Sequence, residues 1–354
     1  MHRLALAPFL ESEQQVNFPA FIAESEKEKG TPFLQFLISN GLAPLWHETL
    51  SNSNLKVEVN SIFIEKLWQV RLTAEANFLM QEKTLQKLDD VFTSYGIEYA
   101  VFKGAHIRDV IYEIPALRPA NDLDILVSKQ NRDAAILALT RADMIFKPIS
   151  KNISHESTII DGAVNIDLHW EIMRPGRTQI DLTQHLLHTK RNYLKHWGFG
   201  IEETLFVMLI HPVFTKYLTS PNYPIIGILD FIKWMNRWDI NWDKVYELCC
   251  IGGVKTAVWL SGEWIKLLTG ITISNELNKR IEPNNLQAKY LRNWLIHNYS
   301  TRFFKYPMLN QVLFTLPVHD KPSHIIGAVR KLCKEKWLAR KNMNRLIKIV
   351  TNDS

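Results

Sequence analysis

Cysteine is scarce in this sequence, and long apolar runs are missing. The 354 residues include three cysteines, none in a CxxC pair, which is too few for the disulfide framework of a secreted scaffold. No stretch approaches the ~20 consecutive apolar residues of a membrane-spanning helix. The short apolar run over residues 4–10 contains Pro8 and makes a poor secretory signal. These absences predict a cytoplasmic protein without a transmembrane segment.

Two common catalytic signatures are also absent. The sequence contains no GxxxxGK[ST] phosphate loop and no HExxH zinc motif. What remains is an ordinary globular composition, with 46% hydrophobic and 22% charged residues. A chain of this length can bury a large core, and we expect two compact parts or one large domain.

The net positive charge is concentrated at the C-terminal end. Residues 330–354 contain eight basic and two acidic residues, so their net charge equals the +6 of the whole chain. This pattern predicts a tail that binds an anionic partner, either nucleic acid or a membrane surface. The alternative is a solvated helix face, with apolar residues such as Leu332 and Leu346 packed inward at helical spacing.

Hydrophobic spacing predicts helices on both sides of a mixed region. Apolar residues recur at helical spacing over residues 32–38 and 62–88, and again from about residue 202 onward. Tyr95-Gly96 ends the long N-terminal helix. The predicted strands of the mixed region are residues 97–102, 122–127, 144–147, 156–160 and 163–170, and its predicted helices are 105–112 and 130–142. Asp161-Gly162, between the last two strands, predicts a hairpin with a type I′ turn.

Three aspartates are predicted on strand faces. Asp122 and Asp124 are two residues apart, so a strand places both carboxylates on one face while its apolar residues face the core. Asp167 alternates with apolar residues on the second hairpin strand in the same way. Carboxylates that converge from neighbouring strands suit Mg²⁺ or Mn²⁺. Two such ions can activate an attacking oxygen and stabilise a leaving one at phosphorus.

Lys103-Gly104 follows the first predicted strand where a helix begins. Glycine lets the backbone approach a phosphate, the helix start offers free N–H groups, and Lys103 adds a positive charge. Arg118 precedes the acidic strand and could reach a phosphate, or it could form an ion pair with Asp122 or Asp124. His169 shares the face of Asp167 and could contact a phosphate, orient a metal-bound water or be structural.

These residues resemble a known family in their order along the chain. The segments VFKGAHIRDVIYEIPALRPANDLDILV and VNIDLHWEI are similar to those of the uncharacterised nucleotidyltransferase family, a branch of the DNA polymerase beta-like nucleotidyltransferase superfamily. Abortive-infection toxin nucleotidyltransferases look similar over the part from Lys103 to Asp124. The resemblance covers roughly residues 30–270 and continues loosely through a helix that contains Asp230.

The resemblance implies an α+β fold with a small mixed-sheet nucleotidyltransferase core. We expect an N-terminal helical segment over residues 1–94, the core over 95–200, and a C-terminal helical domain over 201–354 that includes the basic tail. The implied enzyme moves an NMP from an NTP to an acceptor hydroxyl or phosphate and releases pyrophosphate. The acceptor could be RNA, a peptide, a sugar or a small molecule.

The same resemblance implies the residue roles. Mg²⁺ or Mn²⁺ would be bound by the catalytic aspartates Asp122, Asp124 and Asp167, and the nucleotide by Lys103, Gly104, Arg118 and His169. The alternative function is a catalytically inactive protein of this fold that binds RNA or another anionic partner through its basic tail.

Overall fold

The computed structural model describes residues 2–10, 31–52, 59–147, 155–221, 223–321 and 323–330. The basic tail lies outside the described residues except for Arg330, so its predicted partner stays a prediction.

The described residues of the N-terminal part are mostly helical, as predicted. Its helices are α1 (His2–Leu10), α2 (Thr31–Ser39), α3 (Ala43–Asn52) and α4 (Ser61–Ser94). The long helix α4 begins where the side chain of Asn60 accepts a hydrogen bond from the Ile62 N–H at 2.9 Å. It ends where Gly96 adopts a φ of +62°, which lets the Ile97 N–H reach the Phe92 carbonyl at 2.8 Å.

The described residues contain one mixed seven-stranded sheet. Its strands are β1 (Tyr99–Phe102), β2 (Leu123–Val127), β3 (Ile145–Lys147), β4 (Glu156–Asp161), β5 (Val164–His169), β6 (Arg191–Asn192) and β7 (Trp197–Gly198). Their order is β3-β4-β5-β2-β1-β7-β6, with β2 parallel to β5 and β1 parallel to β7. The helices of this region are α5 (Lys103–Ile111) and α6 (Arg132–Arg141), and a 3₁₀ turn covers Pro115–Leu117. The predicted α+β class and the five predicted strands are confirmed.

The predicted type I′ turn of the β4–β5 hairpin is wrong by one residue. Asp161 pairs with Val164, so the two turn residues are Gly162 and Ala163. Gly162 has a φ of +57°, whereas Ala163 is not among the residues with positive φ. A type I′ turn needs positive φ at both central residues, and glycine at the first position alone is typical of type II′.

Helices dominate the rest of the described chain, as predicted. They are α7 (Thr183–His188), α8 (Ile201–Lys216), α9 (Ile226–Arg237), α10 (Trp242–Gly252), α11 (Lys255–Thr269), α12 (Asn275–Ile281), α13 (Asn285–Ile296), α14 (Tyr299–Arg302) and α15 (Pro307–Asn310), followed by a π-helical turn at Gln311–Thr315. Residues 323–330 are also helical.

The sheet is covered on both faces because its strands alternate between two hydrophobic cores. On β1, Tyr99 and Val101 join a smaller core with α4 and α6, while Ala100 and Phe102 join a larger one. The larger core includes residues of the N-terminal helices and of α8 to α13. Because that core draws on all three predicted parts, the domain boundaries at residues 94 and 200 stay a prediction.

Candidate active site

The predicted aspartates lie at the face of the sheet that carries the larger core. Asp124 on β2 is directly opposite Asp167 on the parallel strand β5, and Asp122 immediately precedes β2. Asp124 is buried, whereas Asp122 and Asp167 are half-buried. Leu123 and Ile125 point into the smaller core, as the period of two predicts. The structure therefore brings two strand-borne carboxylates side by side, with a third close by along the chain.

The negative charges of these carboxylates repel one another. Repulsion by Asp124, together with burial, raises the pKa of Asp122 to about 7. Burial and the negative charge of Asp124 also raise the pKa of Asp167. Burial alone would raise the pKa of Asp124, but the Lys103 ammonium and the His169 ring outweigh it and hold this pKa well below its usual range. A bound cation would offset the remaining negative charge.

Lys103 and Gly104 form the junction between β1 and α5. Lys103 has a φ of 55°, a left-handed conformation that residues other than glycine rarely adopt. Its ammonium donates a hydrogen bond to Asp124 Oδ1 at 2.6 Å. A Cβ on Gly104 would lie 2.5 Å from Arg118 Nη1 and 3.3 Å from Ala120 Cβ, so this position has room for glycine alone.

Arg118 is paired with a residue from the helical part of the chain. Its Nε and Nη2 donate to the two carboxylate oxygens of Asp230 on α9, at 3.2 and 2.5 Å. The Tyr112 hydroxyl donates to the same carboxylate at 2.8 Å, and both ionic groups are largely withdrawn from solvent. The ion pair expected with Asp122 or Asp124 is thus formed with Asp230 instead. Contact between Arg118 and a phosphate stays a prediction.

His169 is buried beside Asp124. Its Nε2 lies 2.9 Å from Asp124 Oδ1, and its ring packs edge-on against Phe102. A carboxylate has acceptors alone, so Nε2 must carry the hydrogen and donate it. His169 and Lys103 therefore both donate to the same oxygen, Asp124 Oδ1.

Two neighbours of His169 were missed in the sequence. Glu156, the first residue of β4, is the cross-strand partner of His169, and His155 precedes it. The signal that could have located Glu156 is the hairpin register. A turn centred on Asp161-Gly162 would place Glu156 opposite Asp167, whereas the observed turn places it opposite His169.

A cavity of about 970 Å³ brings the predicted site residues together. The sheet face forms its floor, and its walls come from residues of α2, α3, α4, α8 and α9. The predicted residues that line it are Lys103, Gly104, Arg118, Asp122, Asp124, Asp167 and His169. Lys216 of α8 and Tyr223 also line the cavity. Its volume lies near the upper end of the roughly 300–1,000 Å³ that is typical of small-molecule pockets.

The described residues offer two sets of potential metal ligands in this cavity. The aspartates are an oxygen-only set of the kind that Mg²⁺ and Mn²⁺ prefer, and their mutual repulsion fits a cation-binding role. Within the described ranges, their ligand atoms are not all within 4.8 Å of one another; those of His155, Glu156 and His169 are. The Lys103 ammonium supplies positive charge at Asp124 in the structure described here.

The sequence matches a model of a known protein family over the region that contains this site. The sequence model of the uncharacterised nucleotidyltransferase family matches residues 26–270, which is more than half of the chain. The chain belongs to the uncharacterised nucleotidyltransferase family. The match contains every predicted site residue and reaches Gly270, which caps α11. No curated protein matches the chain significantly.

Membership in the uncharacterised nucleotidyltransferase family confirms the family part of the resemblance. The similarity to abortive-infection toxins stays a prediction, as does the cytoplasmic location. Across the part of the chain that the structure describes, no helix combines the length and apolarity that crossing a bilayer requires.

Proposed function

We propose that this protein is a metal-dependent nucleotidyltransferase that moves an NMP from an NTP to an acceptor hydroxyl or phosphate and releases pyrophosphate. The observation that carries the proposal is the direct pairing of Asp124 with Asp167 across β2 and β5, inside a cavity that also contains Asp122 and the Lys103-Gly104 junction. Family membership supports the reaction class.

The metal ligands in this proposal are Asp122, Asp124 and Asp167. Their carboxylate oxygens suit Mg²⁺ or Mn²⁺, and the raised pKa of Asp122 reports the repulsion that a cation would relieve. When bound, such ions supply charge neutralisation at the phosphates and activation of the attacking oxygen.

Lys103 and Gly104 hold the triphosphate in this proposal. The Lys103 ammonium is already in the cavity, and the bare Gly104 backbone allows a phosphate to approach the first turn of α5. Arg118 lines the same cavity, but its bond to Asp230 gives it a positioning role at this junction. His169 keeps the Asp124 carboxylate oriented by donating its Nε2 hydrogen.

The proposed reaction is an in-line displacement at the α-phosphorus. The acceptor oxygen forms the new P–O bond, the bond to the bridging oxygen breaks, and pyrophosphate leaves with its electron pair. For a hydroxyl acceptor, Asp167 receives the proton, because it is the more exposed of the paired carboxylates Asp124 and Asp167. For a phosphate acceptor no proton has to be removed.

The test is label transfer from each α-labelled NTP in a cell extract supplied with Mg²⁺ or Mn²⁺. Wild type is compared with the double variant Asp122→Ala/Asp124→Ala and with Asp243→Ala, a matched control whose side chain is 78% exposed on α10. We expect label to enter one fraction with wild type and the control but not with the double variant. The labelled fraction names the acceptor class. Equal transfer by all three proteins would contradict the proposal.

A further inference from the structure

Beside the aspartates lies a second cluster of potential metal ligands with a different chemistry. His155 precedes β4, Glu156 begins it, and His169 ends β5. Glu156 and His169 are cross-strand partners, and the His155 carbonyl accepts a hydrogen bond from the Trp170 N–H at 2.9 Å. The backbone pairing of the hairpin therefore continues past the strand ends. It holds the Cα atoms of all three residues in position.

Two of the ligand-atom separations in this cluster match those expected around one ion. Glu156 Oε2 lies 3.1 Å from His169 Nδ1 and 3.4 Å from His155 Nε2. Nitrogen and oxygen ligands at ~2.1 Å from a zinc ion are separated by roughly 3.0 to 3.4 Å, depending on the coordination angle. The three ligand atoms also all lie within 4.8 Å of one another, which groups them around one possible cation position.

The hydrogen bond from His169 to Asp124 leaves the second ring nitrogen, Nδ1, beside the cluster. Its Nε2 hydrogen is donated to Asp124 Oδ1, so the neutral ring carries no hydrogen on Nδ1. Nδ1 then lies 3.1 Å from Glu156 Oε2, which is also an acceptor. Two acceptors at 3.1 Å repel each other unless a positive group bridges them.

The structure provides no such bridge among the described residues. The His169 side chain is 2% exposed, and Nδ1 has no hydrogen-bond partner in the part of the chain that the structure describes, because its contact with Glu156 lacks hydrogen-bond geometry. A buried polar atom without a partner requires an explanation such as an ion.

We propose that His155, Glu156 and His169 bind one transition-metal ion of the Zn²⁺ class. Two imidazole nitrogens and one carboxylate oxygen suit such an ion better than Mg²⁺, which prefers oxygen ligands. The bond from His169 to Asp124 is the carboxylate–histidine–metal arrangement that orients a ligating ring. Three protein ligands leave a coordination position open, and all three residues line the cavity. This site does not depend on the proposed reaction.

The test is binding of Zn²⁺ alone to the purified full chain after chelation, measured by calorimetry, with Co²⁺ absorption as a second readout. The variants His155→Asn and Glu156→Gln remove one ligand each, while Asp122→Asn and Asp167→Asn alter the oxygen-only set. We expect wild type to bind one equivalent. Each cluster variant should weaken binding by more than the roughly 10- to 100-fold that loss of an outer-shell partner costs.

The two aspartate variants distinguish this site from the neighbouring one. The proposal predicts that Asp122→Asn and Asp167→Asn keep Zn²⁺ affinity within about 10-fold of wild type, a smaller loss than that of a direct ligand. Zn²⁺ binding that survives both His155→Asn and Glu156→Gln, or that is lost in Asp122→Asn, would overturn it. Far-ultraviolet circular dichroism shows whether each variant folds. If one cluster variant does not fold, the other still tests the site.

Discussion

The guanidinium of Arg118 binds the carboxylate of Asp230 through two nitrogens, across 112 residues of sequence. The pair joins the segment that enters β2 to helix α9, in a region where both side chains are largely buried. It therefore connects the floor of the cavity with its helical wall.

Removing one partner of this pair leaves a buried charge without compensation. We expect Arg118→Met and Asp230→Leu each to lower the free energy of unfolding by about 3 to 5 kcal/mol. The double variant should be less damaging than the sum, because neither charge remains. Urea unfolding of the four proteins gives the coupling energy, and additive effects would contradict a direct interaction.

The same arginine makes Gly104 sensitive to substitution. A Cβ there meets Arg118 Nη1 at 2.5 Å, and Asp230 prevents the guanidinium from moving aside. We expect Gly104→Ala to destabilise the fold by about 1 to 3 kcal/mol. The control is Gly327, which is also helical and has no described atom within 4 Å of the position that a methyl group would occupy.

For Gly327→Ala we expect a gain of roughly 0.5 to 1 kcal/mol, because alanine favours helix. Urea midpoints measure both variants. Equal shifts in the two would show that Arg118 does not restrict Gly104.

Much of the site could be predicted from strand periodicity, and two relationships could not. The period of two placed Asp124 and Asp167 on one face because apolar neighbours must face the core. The sequence predicts the hairpin turn one residue earlier than the structure has it. A shift of the turn changes every cross-strand partner in a hairpin. Glu156 was therefore not associated with His169.

The partner of Arg118 was not predictable for a different reason. Asp230 is on a helix whose position against β2 depends on packing of the whole larger core. Spacing along the sequence carries no information about such a contact. The short strands β6 and β7 were missed because two residues give no periodicity.

Buried histidines predict a loss of stability in mild acid. Burial, aided by the positive charges of Arg177 and His324, lowers the pKa of His319 from 6.5 to about 4. As the pH falls from 6.5 towards 4, the His319 ring therefore binds a proton in the unfolded chain but stays neutral in the folded chain. This histidine should remove about 1 kcal/mol of unfolding free energy per pH unit in that window.

The measurement is urea unfolding between pH 4 and 8 for wild type and His319→Gln. We expect the variant to show a smaller loss of stability on acidification. His188→Gln, at an exposed position, is the matched control. An identical pH dependence in wild type and His319→Gln would exclude this histidine as a cause.

Lys103 is predicted to bind the triphosphate through its ammonium. Charge-assisted hydrogen bonds contribute about 1.5 to 3 kcal/mol, so Lys103→Met should weaken NTP binding roughly 10- to 100-fold. Titration with a fluorescent NTP analogue measures the Kd. The exposed Lys279→Met is the control, and unchanged affinity in Lys103→Met would exclude the proposed phosphate contact.

Nucleotidyl transfer at this site is tested by the initial rate of NMP transfer in purified Asp124→Asn relative to wild type, with Asp243→Asn as the control. Asp124 is the carboxylate that Lys103 and His169 both bind and that pairs with Asp167. If Asp124 is a catalytic metal ligand, we expect the rate to fall at least ~10³-fold. A rate within about threefold of wild type would contradict nucleotidyl transfer at this site, because it corresponds to a change in activation free energy of less than about 1 kcal/mol.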